Sequence, residues 1–421
     1  MKRTIVLQIV LVLMFAHSLS AQAGMTAYPF LTIGTSMSGN GMGEIRGTLN
    51  NGSTLQATFN PGLLGIHSTD HSFSAELYSQ RTSWLPGFHL PDLTLNSFAL
   101  SARIPYSNAA DDPYPATIGV GWSTTYLNLG EFVFTTEQGP TVVGTFKGYE
   151  RVDGVSAGIG VEYGGRFGLG LGIKNIISSL APIGTMVDSS ESKATNIAFD
   201  LGFFAEFPMI GNRTFGPLHN GSILIIPDLT VAASYTYRNI GGTVTYNDPA
   251  QTDPLPREIV IGLSLSGGLA AEIQDIRLPL LSFLFAREAS DIAVVGTGPN
   301  DWSYQYGIGD VDLVNHLLFG RSSSFGRVTK GSSVSFARLV TLLEGSNAMV
   351  QREPFRTKGT MVHVHGIFPY LQFLLPSLRK NTAFSYLTEH LQLNYIQSSY
   401  SGVNAFPLNG TKFEGLTVSW R

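Results

Sequence analysis

Between Val155 and Lys174 the chain alternates with a period of two. Val155, Ala157, Ile159, Val161 and Tyr163 fall on one face, with Ser156, Gly158, Gly160 and Glu162 on the other. After Gly164-Gly165-Arg166 the pattern resumes, Phe167, Leu169, Leu171 and Ile173 opposing Gly168, Gly170, Gly172 and Lys174. Successive side chains of a strand point to opposite sides, so this reads as a hairpin with one apolar and one small face. The period recurs in TNIAFDLGFFAEF, where Ile197, Phe199, Leu201, Phe203, Ala205 and Phe207 oppose Asn196, Asp200, Gly202 and Glu206. In LTVAASYTYRN, Leu229 to Tyr237 oppose Thr230 to Arg238, and in REIVIGLSLSG, Ile259 to Leu265 oppose Glu258, Gly262 and Ser264. Weaker copies run through FSAELYSQ, SFALSARI, ATIGVGWS and TVVGTFKGYE.

A soluble β-sandwich or a β-helix also alternates. Long strands with Phe and Leu on one face and Gly or a lone charge on the other fit the lipid-out pattern of a transmembrane barrel better. HLQLNYIQSSY and GTKFEGLTVSWR read as a closing pair, with Leu416, Val418 and Trp420 alternating in the last strand. The region from Leu278 to Lys380 has no clear period. There VDLVNHLLFG and FPYLQFLLPSLRK carry clustered apolar residues, suited to a short helix or a loop against the barrel.

Composition supports the membrane reading. Charged residues make up 13% of the chain and Gly 47 of its 421 residues, against about 25% and about 7% in soluble domains. The best candidate helical span, Gly359 to Leu378, carries two His, a Gln and two Pro, and is a poor one. Lys2 and Arg3, a short apolar run and Ala21-Gln22-Ala23 form a signal peptide, expected to be cleaved so that residues 1–23 are lost. Without that Lys and Arg, 24 basic face 30 acidic residues, a net charge of -6, which gives no reason to expect a nucleic-acid partner. There is no Cys, so stability comes from packing, hydrogen bonding or the membrane rather than disulfides.

Catalytic and metal signatures are weak. Gly154-Val155-Ser156-Ala157-Gly158 matches G-x-S-x-G, but its Ser lies within an alternating strand, not on a strand-to-helix turn. His67 with His71, and His363 with His365, have ligand spacing but no third ligand in view. Gly39, Gly41 and Gly43 lack the βαβ context of a dinucleotide fingerprint. No enzyme activity, metal or cofactor is expected. Glu162, Asp200, Glu206 and Arg238 fall on inward positions as lumen-facing polar residues, whose plainest role is solvation of the interior.

The segment GNGMGEIRGTLNNGSTLQATFNPGLLG resembles the N-terminal region of the FadL-like outer-membrane barrels, including the PorV/PorQ-type proteins of Bacteroidota. Gly41-Met42-Gly43 matches the family's turn, and Asn60-Pro61 followed by Leu63 and Leu64 matches its Asn-Pro-Ala sequence and the Leu after it, with Gly62 where Ala is usual. LPREIVIGLSLSG and PLNGTKFEGLTVSW are similar to further strands of the family. The resemblance implies an all-β fold: a transmembrane antiparallel β-barrel of about 14 strands, residues 67–421, with residues 24–66 as a plug in the lumen. Asn60, Pro61, Gly62, Leu63 and Leu64 would then anchor the plug in an apolar pocket or line one; the alternative is a surface turn at Asn60-Pro61. The implied location is the Gram-negative outer membrane, and the implied partners are its lipid and a hydrophobic small molecule. A role as a type IX secretion component, with machinery subunits or cargo as partners, is the alternative.

Overall fold

A computed structural model describes residues 26–66, 72–78, 82–88, 92–106, 114–135, 142–181, 192–211, 215–218, 223–246, 252–273, 276–298, 301–324, 326–349, 352–402 and 407–421. The leader, His67 and His71 lie outside them. The alternating segments become strands of one antiparallel sheet of sixteen. Two of these, Thr82–Ser83 and Phe215–Leu218, are short appendages, leaving fourteen wall strands among the described residues. They are β1 Ser72–Tyr78, β2 Thr94–Pro105, β3 Ala116–Thr135, β4 Val142–Glu162, β5 Arg166–Ala181, β6 Ser192–Ile210, β7 Ile223–Gly241, β8 Glu258–Ile273, β9 Ile276–Ile292, β10 Arg327–Phe336, β11 Val340–Met349, β12 Arg352–His363, β13 Leu391–Ser401 and β14 Lys412–Trp420. Each pairs with its sequence neighbour, and β1 also pairs with β14, Phe73 opposite Trp420, so the sheet closes on itself. Closure leaves no edge with unpaired backbone groups, the requirement for strands that cross a membrane.

The faces follow the period. Val155, Ile159, Leu169, Leu171, Ile173, Ile197 and Phe199 are 46 to 64% exposed on the outer wall, while Ser156, Gly158, Gly160, Gly168, Gly170 and Gly172 are buried inward. Burying the apolar set in lipid and the small set against the interior satisfies both faces of one strand. No helix among the described residues is long and apolar enough to cross a membrane.

The aperiodic region resolves into both kinds of element. It holds β9 to β12, then α3 Ile367–Leu374 and α4 Pro376–Arg379; α5 Thr382–His390 follows. Leu313–Leu318, within VDLVNHLLFG, is a single wide turn of helix. It belongs to the β9–β10 connection, which lies on the outside of the wall: Tyr235 and Tyr237 donate to the carbonyls of Gly307 and Gln305. Connections at one end are as short as residues 163–165 and 337–339; the β9–β10 connection is at the other, the loop end.

Candidate functional site

Residues 26–66 contact inward-facing positions of strands around the whole wall. Two short helices, α1 Met37–Gly41 and α2 Thr54–Phe59, are capped by Ser36 and Ser53, whose hydroxyls accept from the amides of Gly39 and Gln56. Such caps satisfy otherwise orphaned N–H groups where a helix of five or six residues has little cooperativity of its own. Between them the chain turns at Gly43, with φ 79°. A Cβ there would lie 2.5 Å from the Lys330 carbonyl oxygen and 2.8 Å from the Ser346 nitrogen. The turn conformation and the space both select glycine.

Three layers of different chemistry fill the interior. At the loop end lies an apolar cluster that joins Tyr28, Phe30 and Met37 to Leu95, Ile176, Phe355, Tyr400 and Phe413 of the wall. An aqueous channel would present polar side chains here.

The middle layer is ionic. Glu258, at the start of β8 and 2% exposed, receives Arg46 at 2.5 Å, Arg327 at 3.1 Å and Arg238 at 3.5 Å. Lys174 lies 2.9 Å and Arg238 4.0 Å from Asp200. Glu288 accepts from the backbone amides of Arg46 and Gly47 and from the Thr48 hydroxyl at 2.7 to 2.8 Å. Glu44 accepts from Tyr400 at 2.8 Å and Asn347 at 2.7 Å. The guanidinium carbons of Arg238 and Arg46 stand 3.3 and 4.9 Å from the Phe59 ring centroid. Buried charges are tolerated only when paired and hydrogen-bonded; these find partners within the wall and, through Glu44, Arg46 and Thr48, between the N-terminal segment and the wall.

The third layer contains Asn60 to Ile66. The Asn60 side chain accepts from the Gly62 amide at 3.1 Å and donates to the carbonyls of Gly47 at 2.8 Å and Phe203 at 3.2 Å. One amide thus ties a turn, the segment and the wall together. Pro61 opens the 3-10 turn Pro61–Gly65, which lies directly on the glycines of β4 to β6. A Cβ on Gly170 would lie 2.3 Å from the Pro61 carbonyl, and one on Gly168 2.1 Å from the Gly62 oxygen. The small face of the hairpin is therefore small because backbone packs on backbone. Leu63 and Leu64 are 0 and 3% exposed and cluster with Ala57, Ile66, Phe204 and Ala232. A cavity of about 440 Å³ at the short-turn end is lined by Asp228, Arg277, Arg338, His365, Glu389 and other polar groups. Burial and the nearby Arg338 pull the His365 ring down to about 4.

The residues singled out from sequence separate into groups. Asn60 to Leu64 are together and buried. Asp200 and Arg238 share the ionic layer, and Glu206 accepts from Asn50 at 3.1 Å and pairs with Arg166. Glu162 stands apart, half-buried at the short-turn end of β4. Ser156 faces inward within β4, on a continuous strand rather than a strand-to-helix turn. His363 is held between Thr341 and Asn394 at 2.8 and 2.7 Å, and no group of three metal-ligating side chains occurs among the described residues. Glu44, Arg46, Glu288 and Arg327 also belong to the site, though none lies in a segment with a clear period. Strand parity places Glu258 and Lys174 inward.

No family model matches the chain, and none of the curated proteins matches it in sequence. Among solved structures it is similar to the toluene transporter TbuX of Ralstonia pickettii, at 12% identity and a TM-score of 0.38, covering 92% of this chain and 97% of that one. It is similar to the β domain of the Bordetella autotransporter BrkA at 12% identity and a TM-score of 0.35, covering 84% and 100%. The toluene transporter TodX of P. putida gives 10% identity and a TM-score of 0.36, covering 92% and 98%.

Proposed function

We propose that the protein is an outer-membrane barrel, residues 67–421, that admits hydrophobic small molecules, with residues 24–66 as a plug in its lumen once residues 1–23 are removed as a signal peptide. The observation that carries this reading is the apolar layer at the loop end. A molecule entering from outside meets mostly aromatic and aliphatic side chains, with the buried Glu150 hydrogen-bonded to Ser178 among them, before it reaches the ionic layer, which favours partition of an apolar solute. The ionic layer below holds the segment by reversible contacts, so displacing it requires no covalent change. Leu63 and Leu64 act as the apolar anchor of the segment, with Asn60, Pro61 and Gly62 forming the turn that seats them.

The test is uptake by proteoliposomes containing the purified full chain. The expected result is entry of a labelled long-chain fatty acid or aromatic hydrocarbon well above the protein-free rate, with no gain for a sugar of similar mass. Uptake at the protein-free rate for every apolar solute would refute the reading.

A further inference from the structure

The outer wall is not apolar all the way round. On β10 to β14, register places three outward rows side by side. Lys330 pairs with Ser346, Arg356 and Ser401 in turn; Ser332 with Glu344, Lys358, Ser399 and Lys412; and Thr360 with Gln397 and Glu414. Lys330, Glu344, Arg356, Lys358 and Lys412 are exposed, four cations beside the two carboxylates Glu344 and Glu414. Below them, toward the short-turn end, the outward row is Phe336, Val340, Val362, Tyr395 and Leu416.

These strands have no length to spare. They run 9 to 12 residues, whereas β3 to β9 run 16 to 21. A tilted strand needs about 9 to 11 residues to span a bilayer; Lys330, Arg356 and Lys412 stand within four residues of the loop-end termini of β10, β12 and β14, so their side chains reach the headgroup level of the loop-end leaflet, while Lys358 stands deeper, six residues from the terminus of β12. The same surface is concave. Two contiguous grooves of about 720 and 630 Å³ share Ser332 and Glu344. The first runs down to Val334, Phe336 and Leu342, and the second reaches Leu263, Leu265 and Phe285.

We propose that the outward face of β10 to β14 binds a phosphate-bearing lipid of the loop-end leaflet, its phosphates against Lys330, Arg356, Lys358 and Lys412 and its acyl chains along the apolar ends of the two grooves. The charge excess is opposite in sign to an anionic headgroup and to the net charge of the chain. Three of the four cations are lysines, whose stems lie on apolar surface while the ammonium reaches the headgroup. Lys is depleted from protein interfaces, so a protein partner fits this face less well. The proposal rests on the outer-membrane location in the reading above but not on transport.

The probe is lipid A added to the purified full chain in detergent and followed by native mass spectrometry, beside dephosphorylated lipid A and phosphatidylethanolamine. Wild type is expected to retain the phosphorylated form preferentially. Substituting Lys330→Gln, Arg356→Gln, Lys358→Gln and Lys412→Gln together should weaken retention, by about fivefold per charge removed. Lys147→Gln with Lys193→Gln, on β4 and β6, should leave it unchanged. Equal retention of the dephosphorylated lipid would overturn the proposal, as would a fourfold variant that still binds like wild type. A photo-crosslinker at Ser399 that captured a protein rather than lipid in native membranes would also overturn it. Uptake is not read, so this outcome is independent of the transport assay.

Discussion

The two faces of the wall handle charge in opposite ways. Inside, Glu258, Asp200, Glu288 and Glu44 each meet cations or donors at hydrogen-bonding distance. Outside, on β10 to β14, Glu344 and Lys358 are register partners, yet both stay exposed to their surroundings. The difference follows from what each face can reach. Charges buried inside the wall must find every counter-charge within the chain, whereas a wall at headgroup level can leave that task to lipid and water.

The sharpest way to break this contrast is to remove the interior hub. Glu258→Ala leaves Arg46, Arg238 and Arg327 facing one another, and we expect a loss of about 3–5 kcal/mol. The measurement is thermal unfolding, together with faster proteolysis of residues 26–66 in the folded barrel. Stability within about 0.5 kcal/mol of wild type would show that the ionic layer does not hold the segment.

The two halves of the outer wall provide the next comparison. Leu171, 64% exposed on β5, faces lipid, and Leu171→Lys should cost about 2–4 kcal/mol in a bilayer. Position 358 already carries Lys, and Lys358→Leu should change stability by no more than about 0.5 kcal/mol. Equal costs at the two positions, measured by unfolding from vesicles, would remove the distinction between the halves.

A smaller effect separates two glycines of the same turn. A Cβ on Gly65 would lie 2.3 Å from the Gly160 nitrogen and 2.6 Å from the Ile159 carbonyl oxygen, both fixed backbone of β4, so Gly65→Ala should destabilise by about 1–3 kcal/mol. On Gly62 the nearest atoms are the Gly168 and Gly202 carbonyl oxygens at 3.0 Å. A shift of a few tenths of an ångström admits a methyl group, so Gly62→Ala should cost under about 1 kcal/mol. The ordering of the two midpoints in a denaturant titration decides the point.

The same contrast explains which parts of the fold were legible. The hairpin from Val155 to Ile173 was readable because lipid demands apolar residues outward and a packed backbone demands glycine inward, so the period is written twice. In β10 to β12 the outward positions mix Lys330, Ser332, Glu344, Arg356 and Lys358 with Val334, Phe336 and Leu342, so RVTKGSSVSF and REPFRTKGTMVH show no unbroken apolar period. In β9 the opposite happens: Leu284 and Ala286 face inward onto Met42, Ile45 and Leu49, so apolar residues occupy both faces of SFLFA. The ionic layer was half legible. Glu258, Asp200 and Arg238 follow from strand parity, but Glu44 and Arg46 sit between two very short helices, where no period assigns a direction.

The absence of cysteine makes the central claim directly testable. The Thr48 and Ser234 hydroxyl oxygens are 2.7 Å apart, one on the N-terminal segment and one on β7, so Thr48→Cys with Ser234→Cys places two thiols within reach of each other. Proteoliposomes of this variant should take up a labelled long-chain fatty acid slowly when oxidised and at the wild-type rate after reduction. Uptake at the wild-type rate with the disulfide fully formed would contradict the account, because the segment would then be shown not to need to move.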